Sequence, residues 1–215
     1  MYLSWRIGEA AIYYCQRGMG LSSYLPMEPG FPTRGGAEQA LADAADMARV
    51  QDGDDSAFSA IVRRHQTSLV NFFRRLGAYS EAEDLAQETF LRVFRYRGRY
   101  RPTARFATFL YTVARHVWCD RLRKLQRAEA ERAALEQREE DRRIERREVV
   151  EERLAAIREA VEELPEHLRM TVVLIVYQEF DYETTARILD IPLGTVKSRM
   201  HEAMQRLKRR LGAGE

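Results

Sequence analysis

Tyr182-Glu-Thr-Thr-Ala-Arg-Ile-Leu-Asp190, Ile191-Pro-Leu-Gly194 and Thr195-Val-Lys-Ser-Arg-Met-His-Glu-Ala-Met-Gln-Arg-Leu-Lys-Arg-Arg210 follow one another without a break. The outer two pieces carry apolar residues at helical spacing, and the proline and glycine of the middle piece interrupt the helix between them. Helix, short turn and second helix are the outline of a helix-turn-helix. In the second helix Val196, Met200, Ala203, Met204, Leu207 and Leu211 share an inward face, while Lys197, Ser198, His201, Gln205 and Lys208 share the outward one. Thr195 stands where an N-cap is expected. Donors near the start of such a helix reach base edges, and the basic run Lys208-Arg-Arg210 suits phosphates.

Upstream, Leu154, Ile157, Val161 and Leu164 repeat at helical spacing, and Pro165 fits the first turn of the next helix. The run Met170 to Tyr177 has little polar surface, so its helix is expected at the centre of a small bundle spanning 154–212. Before it, 19 of the 30 residues from Lys124 to Arg153 are charged and none is aromatic. Such a segment has no core of its own, so 124–153 reads as a linker between two domains that move independently.

The other domain covers 40–123. Phe58, Ile61, Val62, His65, Leu69, Phe73 and Leu76 form one helical stripe that stops at Gly77. Ser80 and Glu83 have the spacing of a capping box for the next helix. There Ala82, Leu85, Ala86, Thr89, Phe90, Val93 and Phe94 make a buried stripe, leaving Asp84, Gln87, Glu88, Leu91, Arg92 and Arg95 opposite. Leu91 is either one of the single exposed leucines that any surface carries or the apolar anchor of a protein-binding face. Gly98 and Pro102 then bracket a loop, and Phe106, Phe109, Leu110, Val113 and Val117 set up a helix to about Lys124. Between Arg92 and Arg123 stand nine arginines and a single acid, Asp120, with aromatics among them. Guanidinium forks suit phosphates and aromatic faces suit unstacked bases. Phe106 and Phe109 belong to the core on this reading, whereas Tyr100 and the loop arginines Arg99, Arg101 and Arg105 are candidates for nucleic acid.

No run alternates with period two over a strand's length, so the fold class is all-α, two small helical domains joined by a charged linker. The net charge of +2 conceals +8 over 56–123 and +4 from Ile191 onward, against −4 over 1–55, which suggests a polyanion touched at two places. The longest apolar run is far below the roughly 20 residues that cross a bilayer, so membrane insertion is not expected and the cytoplasm is the default. Cys15 and Cys119 offer no disulfide framework. His116 and Cys119 share a helical face but lack a third ligand at zinc spacing, and there is no glycine-rich phosphate loop. No metal, cofactor or catalytic site is expected. Residues 1–39, rich in glycine and proline, read as a flexible extension or as the product of a start placed too early, with Met27 as an alternative.

These residues together resemble the extracytoplasmic-function sigma factors, the two-domain branch of the bacterial RNA polymerase sigma family, over about 40–212. Asp84-Leu-Ala-Gln-Glu-Thr-Phe-Leu-Arg-Val93 is similar to the family's polymerase-binding helix. The resemblance implies that Asp84, Gln87, Glu88, Leu91 and Arg92 contact core RNA polymerase. Phe106 to Lys124 is similar to the region that opens and reads the −10 promoter element, which implies DNA roles for Arg99, Tyr100, Arg101, Arg105, His116 and Arg121. Leu193-Gly-Thr-Val-Lys-Ser-Arg199, preceded by Leu164-Pro165, resembles the −35 reader. It implies base contacts from Thr195, Lys197, Ser198 and His201, and phosphate contacts from Arg199 and Arg206. Departures are Phe109 and His116, where the family often has Trp and Asn, Thr184-Thr185 for a usual Glu-Ile, and Glu202 at a position often basic. Glu202 either repels phosphate or accepts from a cytosine amino group. Promoter DNA and core polymerase are the implied partners, with an anti-sigma protein as a further candidate. The alternative is a helix-turn-helix regulator that binds an operator without polymerase.

Overall fold

A computed structural model describes residues 34–135 and 152–212, and among them all regular structure is helical. In chain order the elements are α1 (Arg34–Gln51), α2 (Asp55–Arg75), α3 (Ala82–Arg95), a 3-10 turn (Arg97–Arg99), α4 (Phe106–Leu135), α5 (Glu152–Glu162), α6 (Glu166–Val172) continued by a π-helical segment (Val173–Tyr177), α7 (Tyr182–Leu189) and α8 (Leu193–Gly212). Helix α1 starts at Arg34, within the last residues of the expected extension 1–39. Helix α4 runs past Lys124 to Leu135, so the first part of the charged segment extends that helix. The remainder of the expected linker, 136–151, and residues 1–33 lie outside the described residues.

Helix α2 opens on Asp54, whose carboxylate accepts from the Ser56 amide at 3.1 Å. It closes in a Schellman motif: the Gly77 amide donates to Arg74 and the Ala78 amide to Phe73, both at 3.0 Å. That geometry requires the left-handed φ of +98° at Gly77, and a Cβ there would sit 3.3 Å from the Arg169 guanidinium. Gly77→Ala is therefore expected to cost about 1–2 kcal/mol, read as a lower urea midpoint at unchanged slope.

Helices α1 to α4 enclose one core, with Ile61, Leu69, Phe72, Phe73, Val93, Phe106, Leu110 and Trp118 almost fully buried. A second core lies among α5, α6 and α8, built from Val161, Leu164, Leu168, Val172, Met200, Ala203, Met204 and Leu207. The apolar run after Pro165 serves both. Leu168, Val172 and Val176 point into the second core, while Met170, Val173 and Leu174, on the other side of the same helix, join the first together with Ile188 and Leu189 of α7. An all-round apolar helix is what a position between two cores demands.

The two helical domains, each with its own core, thus meet along a shared interface, which periodicity within either one does not reveal. Polar contacts complete it. Ser68 Oγ lies 2.8 Å from both Tyr111 Oη and Gln178 Oε1, and Tyr111 also donates to Gln178. The Arg169 guanidinium donates to the Leu76 carbonyl at 3.1 Å, and that of Arg115 to the Ile188 carbonyl at 3.1 Å. Trp118 Nε1 donates to Glu166, Tyr79 to Glu162, and Arg75 stacks 4.3 Å from the Tyr177 ring centre. Burial raises the pKa of Glu166, although the Trp118 hydrogen bond favours its carboxylate form.

Candidate polymerase and nucleic-acid surfaces

Helix α3 buries Ala82, Ala86, Thr89, Phe90 and Val93, and this stripe turns Leu91 outward, where it is 51% exposed. Asp84 and Gln87 are exposed beside it. Glu88 accepts from Arg92 Nε at 2.7 Å, and Arg92 also reaches Asp120 of α4 at 2.7 Å, so these charges form a braced group across two helices. Hydrogen bonding from Arg92 holds the Asp120 carboxyl below its usual range. Asp120 was missed as a site residue; its signal was being the lone acid in an arginine-rich run. The expected Ser80 cap is replaced by a start at Glu81, which makes no side-chain cap. Glu81 instead accepts from Arg121 Nε at 2.6 Å, and that contact lowers its pKa.

The loop after α3 corrects the reading of Tyr100. Its ring is 5% exposed and packs 6.0 Å from Phe106 and 5.3 Å from Phe109, centre to centre, so it offers no free face to a base. The physical reason is closure: the loop folds back so that the Tyr100 ring covers Phe106 and Phe109 at the start of α4. Arg99, Arg101 and Arg105 remain exposed. His116 is exposed on α4; partial desolvation, then the neighbouring Arg115, lower its pKa and so favour the neutral ring, which can both donate and accept. Arg121 is less available than expected, being paired with Glu81 and lying 4.9 Å from the Trp118 ring centre.

In the helix-turn-helix, Asp181 caps α7 by accepting from the Thr184 amide at 2.6 Å. Asp190 takes a left-handed conformation (φ 52°, ψ 52°), and the Asp190 and Ile191 amides donate to the Arg187 and Ala186 carbonyls, closing the helix. Helix α8 begins at Leu193, two residues earlier than expected, because the Pro192 carbonyl accepts from the Thr195 and Val196 amides at 2.9 and 3.2 Å. Thr195 is thus half-buried in the first turn and not the N-cap. Val196, Met200, Ala203, Met204 and Leu207 are buried as expected, and Lys197, Ser198, His201, Glu202 and Arg206 are exposed, with Arg199 half-buried. Glu202 accepts from Arg206 Nε and Nη2 at 3.0 and 2.8 Å. Within the basic tail, Arg210 is paired with Glu163, the residue after α5, at 2.8 Å.

Comparison with known proteins adds an independent line. Residues 61–128 match the Sigma-70 region 2 family and residues 154–207 match Sigma-70 region 4. The chain is 32% identical over 174 residues to the ECF RNA polymerase sigma factor SigW of Bacillus subtilis, covering 76% of this chain and 93% of that protein. It is 28% identical over 185 residues to the ECF RNA polymerase sigma-E factor of Haemophilus influenzae, covering 81% and 97%. In fold it is similar to CnrH in complex with the cytosolic domain of CnrY (TM-score 0.61, 21% identity, 81% of this chain and 99% of that one). A like similarity links it to the sigma factor RpoE in complex with the anti-sigma factor NepR from Bartonella quintana (TM-score 0.61, 24% identity, 74% and 98%).

Proposed function

Because the chain belongs to the extracytoplasmic-function branch of the sigma-70 family, and so is a sigma factor that joins core RNA polymerase to direct promoter-specific initiation, we propose how its surfaces divide that work. The α3 face of Asp84, Gln87, Glu88, Leu91 and Arg92 docks on the polymerase, with Asp120 bracing Arg92. Arg99, Arg101, Arg105 and His116 meet the −10 element, while Tyr100 and Arg121 act from behind by holding the loop and α4 in place. Lys197, Ser198 and His201 of α8 approach base edges of the −35 element, and Thr195 supports the turn that leads into it. Arg199 and Arg206 hold phosphates. Region 2 covers 40–123 and region 4 covers 154–212. The chain acts in the cytoplasm by binding and contributes no catalysis of its own. An anti-sigma protein is a fitting regulator, in keeping with its fold similarity to a sigma factor held by one.

The observation that carries this reading is the pattern of exposure on α8, where every buried residue is apolar and the outward positions hold the donors. Base reading and phosphate anchoring separate by experiment. Lys197→Ala or Ser198→Ala changes which −35 sequences a selection returns, at about 1–3 kcal/mol for a lost base contact. Arg206→Ala weakens all sequences alike and lowers the salt slope by about one. The Glu202–Arg206 pair adds a third option to the two left open for Glu202, namely that it aims Arg206. In that case Glu202→Ala reproduces the sequence-independent loss of Arg206→Ala. A selection that returns the wild-type motif for both Lys197→Ala and Ser198→Ala moves sequence reading away from this helix.

A further inference from the structure

Gln51 is the last residue of α1, and its side-chain amide donates both hydrogens to the backbone that leads into the −10 loop. One bond runs to the Arg97 carbonyl at 2.7 Å and the other to the Tyr100 carbonyl at 3.0 Å. Gln51 is itself exposed, so filling the core does not explain its placement. The end of α1 on which it stands is fixed: Met47 and Val50 are fully buried, Asp43 accepts from Arg64 and lies 2.9 Å from His65 Nε2, and Arg49 pairs with Asp54 at 2.6 Å. On the loop side, the buried Tyr100 ring anchors the upstream end and Phe106, 1% exposed, anchors the downstream end. Residues 101–105 span these anchors, with the candidate nucleic-acid residues Arg101 and Arg105 exposed among them.

From this clamp we infer that Gln51 is a positioning residue for −10 recognition, an inference that rests on the reading of the 97–105 loop as the −10 reader. By tying the carbonyl that opens the 3-10 turn and the one just after it to α1, Gln51 sets the direction in which Arg99 and Arg101 leave the backbone. A loop held in one geometry before binding loses less freedom on binding, and it discriminates better between bases because it cannot shift to accommodate the wrong one. Neither property needs Gln51 to touch DNA.

The test uses the full chain with core polymerase on templates already melted at the −10 element, carrying either the preferred −10 sequence or single-base variants of it. Gln51→Met keeps the length of the side chain and removes both donors, whereas Gln51→Lys returns donors at similar reach. The expected result is that Gln51→Met narrows the ratio of initiation on preferred over substituted sequence by roughly tenfold, as the loss of two hydrogen bonds allows, and that Gln51→Lys restores the ratio. Loss of stability alone would lower initiation on both sequences and leave the ratio where it was. Arg101→Ala and Arg105→Ala serve as the comparison. If they collapse the ratio while Gln51→Met keeps it, the role of Gln51 is overturned and the loop reading stands; if all three keep it, the loop does not read the −10 element and both readings fall.

Discussion

Leu91→Asp is expected to abolish retention of the chain by core RNA polymerase without unfolding it. Leu91 is half exposed and contributes little to the core, so its replacement leaves the buried stripe of Ala86, Thr89, Phe90 and Val93 untouched. Aspartate is a poorer helix former than leucine by only a fraction of a kcal/mol, and Arg95 one turn later offers a partner of opposite sign. At an interface the balance is different. A desolvated aliphatic anchor is worth roughly 2 kcal/mol or more, about a thirtyfold change in affinity, and forcing a carboxylate into the same place adds its own desolvation. Leu91→Ala should therefore lose part of the affinity and Leu91→Asp nearly all of it, while helicity by circular dichroism stays at the wild-type value. Wild-type retention by Leu91→Asp with its helicity intact would remove α3 from the polymerase contact.

Features that depend on local spacing were legible in the sequence, and those that depend on which distant surface needs covering were not. Leu91 stands out because a helical stripe dictates its direction, and the stop at Gly77 follows from a backbone conformation that glycine favours. The two faces of α8 follow from the same periodicity. The burial of Tyr100 had no local signal, because spacing does not show that the loop folds back to lay this ring on Phe106 and Phe109. Ser80 and Thr195 have the right chemistry for caps, but Glu81 and Pro192 lie where the helices begin, and in α8 the Pro192 carbonyl receives the first amides. The apolar run around Leu174 signalled burial correctly and left open what would bury it. Gln51 had no signal at all, since its partners are backbone carbonyls more than forty residues away.

Locking region 4 onto region 2 is expected to stop promoter-dependent initiation altogether. A compact body of roughly 160 residues has a radius of gyration near 15 Å, whereas promoter elements centred about 25 base pairs apart lie roughly 85 Å apart along straight B-DNA. The arrangement in which Met170, Val173, Leu174, Ile188 and Leu189 sit in the core of α1 to α4 cannot reach both at once. Reaching both elements requires the two units to part. Closure then acts as a population effect. If it is favoured by about 3 kcal/mol, roughly one molecule in a hundred is open, and the apparent affinity of any partner that needs the open form falls about a hundredfold. Ser68 and Gln178, whose side chains meet at 2.8 Å across the interface, give a place to test this. With Cys15 and Cys119 first replaced by alanine, Ser68→Cys and Gln178→Cys are joined by a short cleavable bifunctional maleimide. The joined protein should give no run-off transcript from a duplex promoter, recover when the cross-link is cleaved, and still bind an isolated −35 duplex, because the outward face of α8 is open in the closed form. Ser68→Ala, which removes one polar contact of the interface, should move the other way and tighten binding of core polymerase. Full transcription by the locked protein would mean that the two units work while packed together, and the role assigned to their separation would be lost.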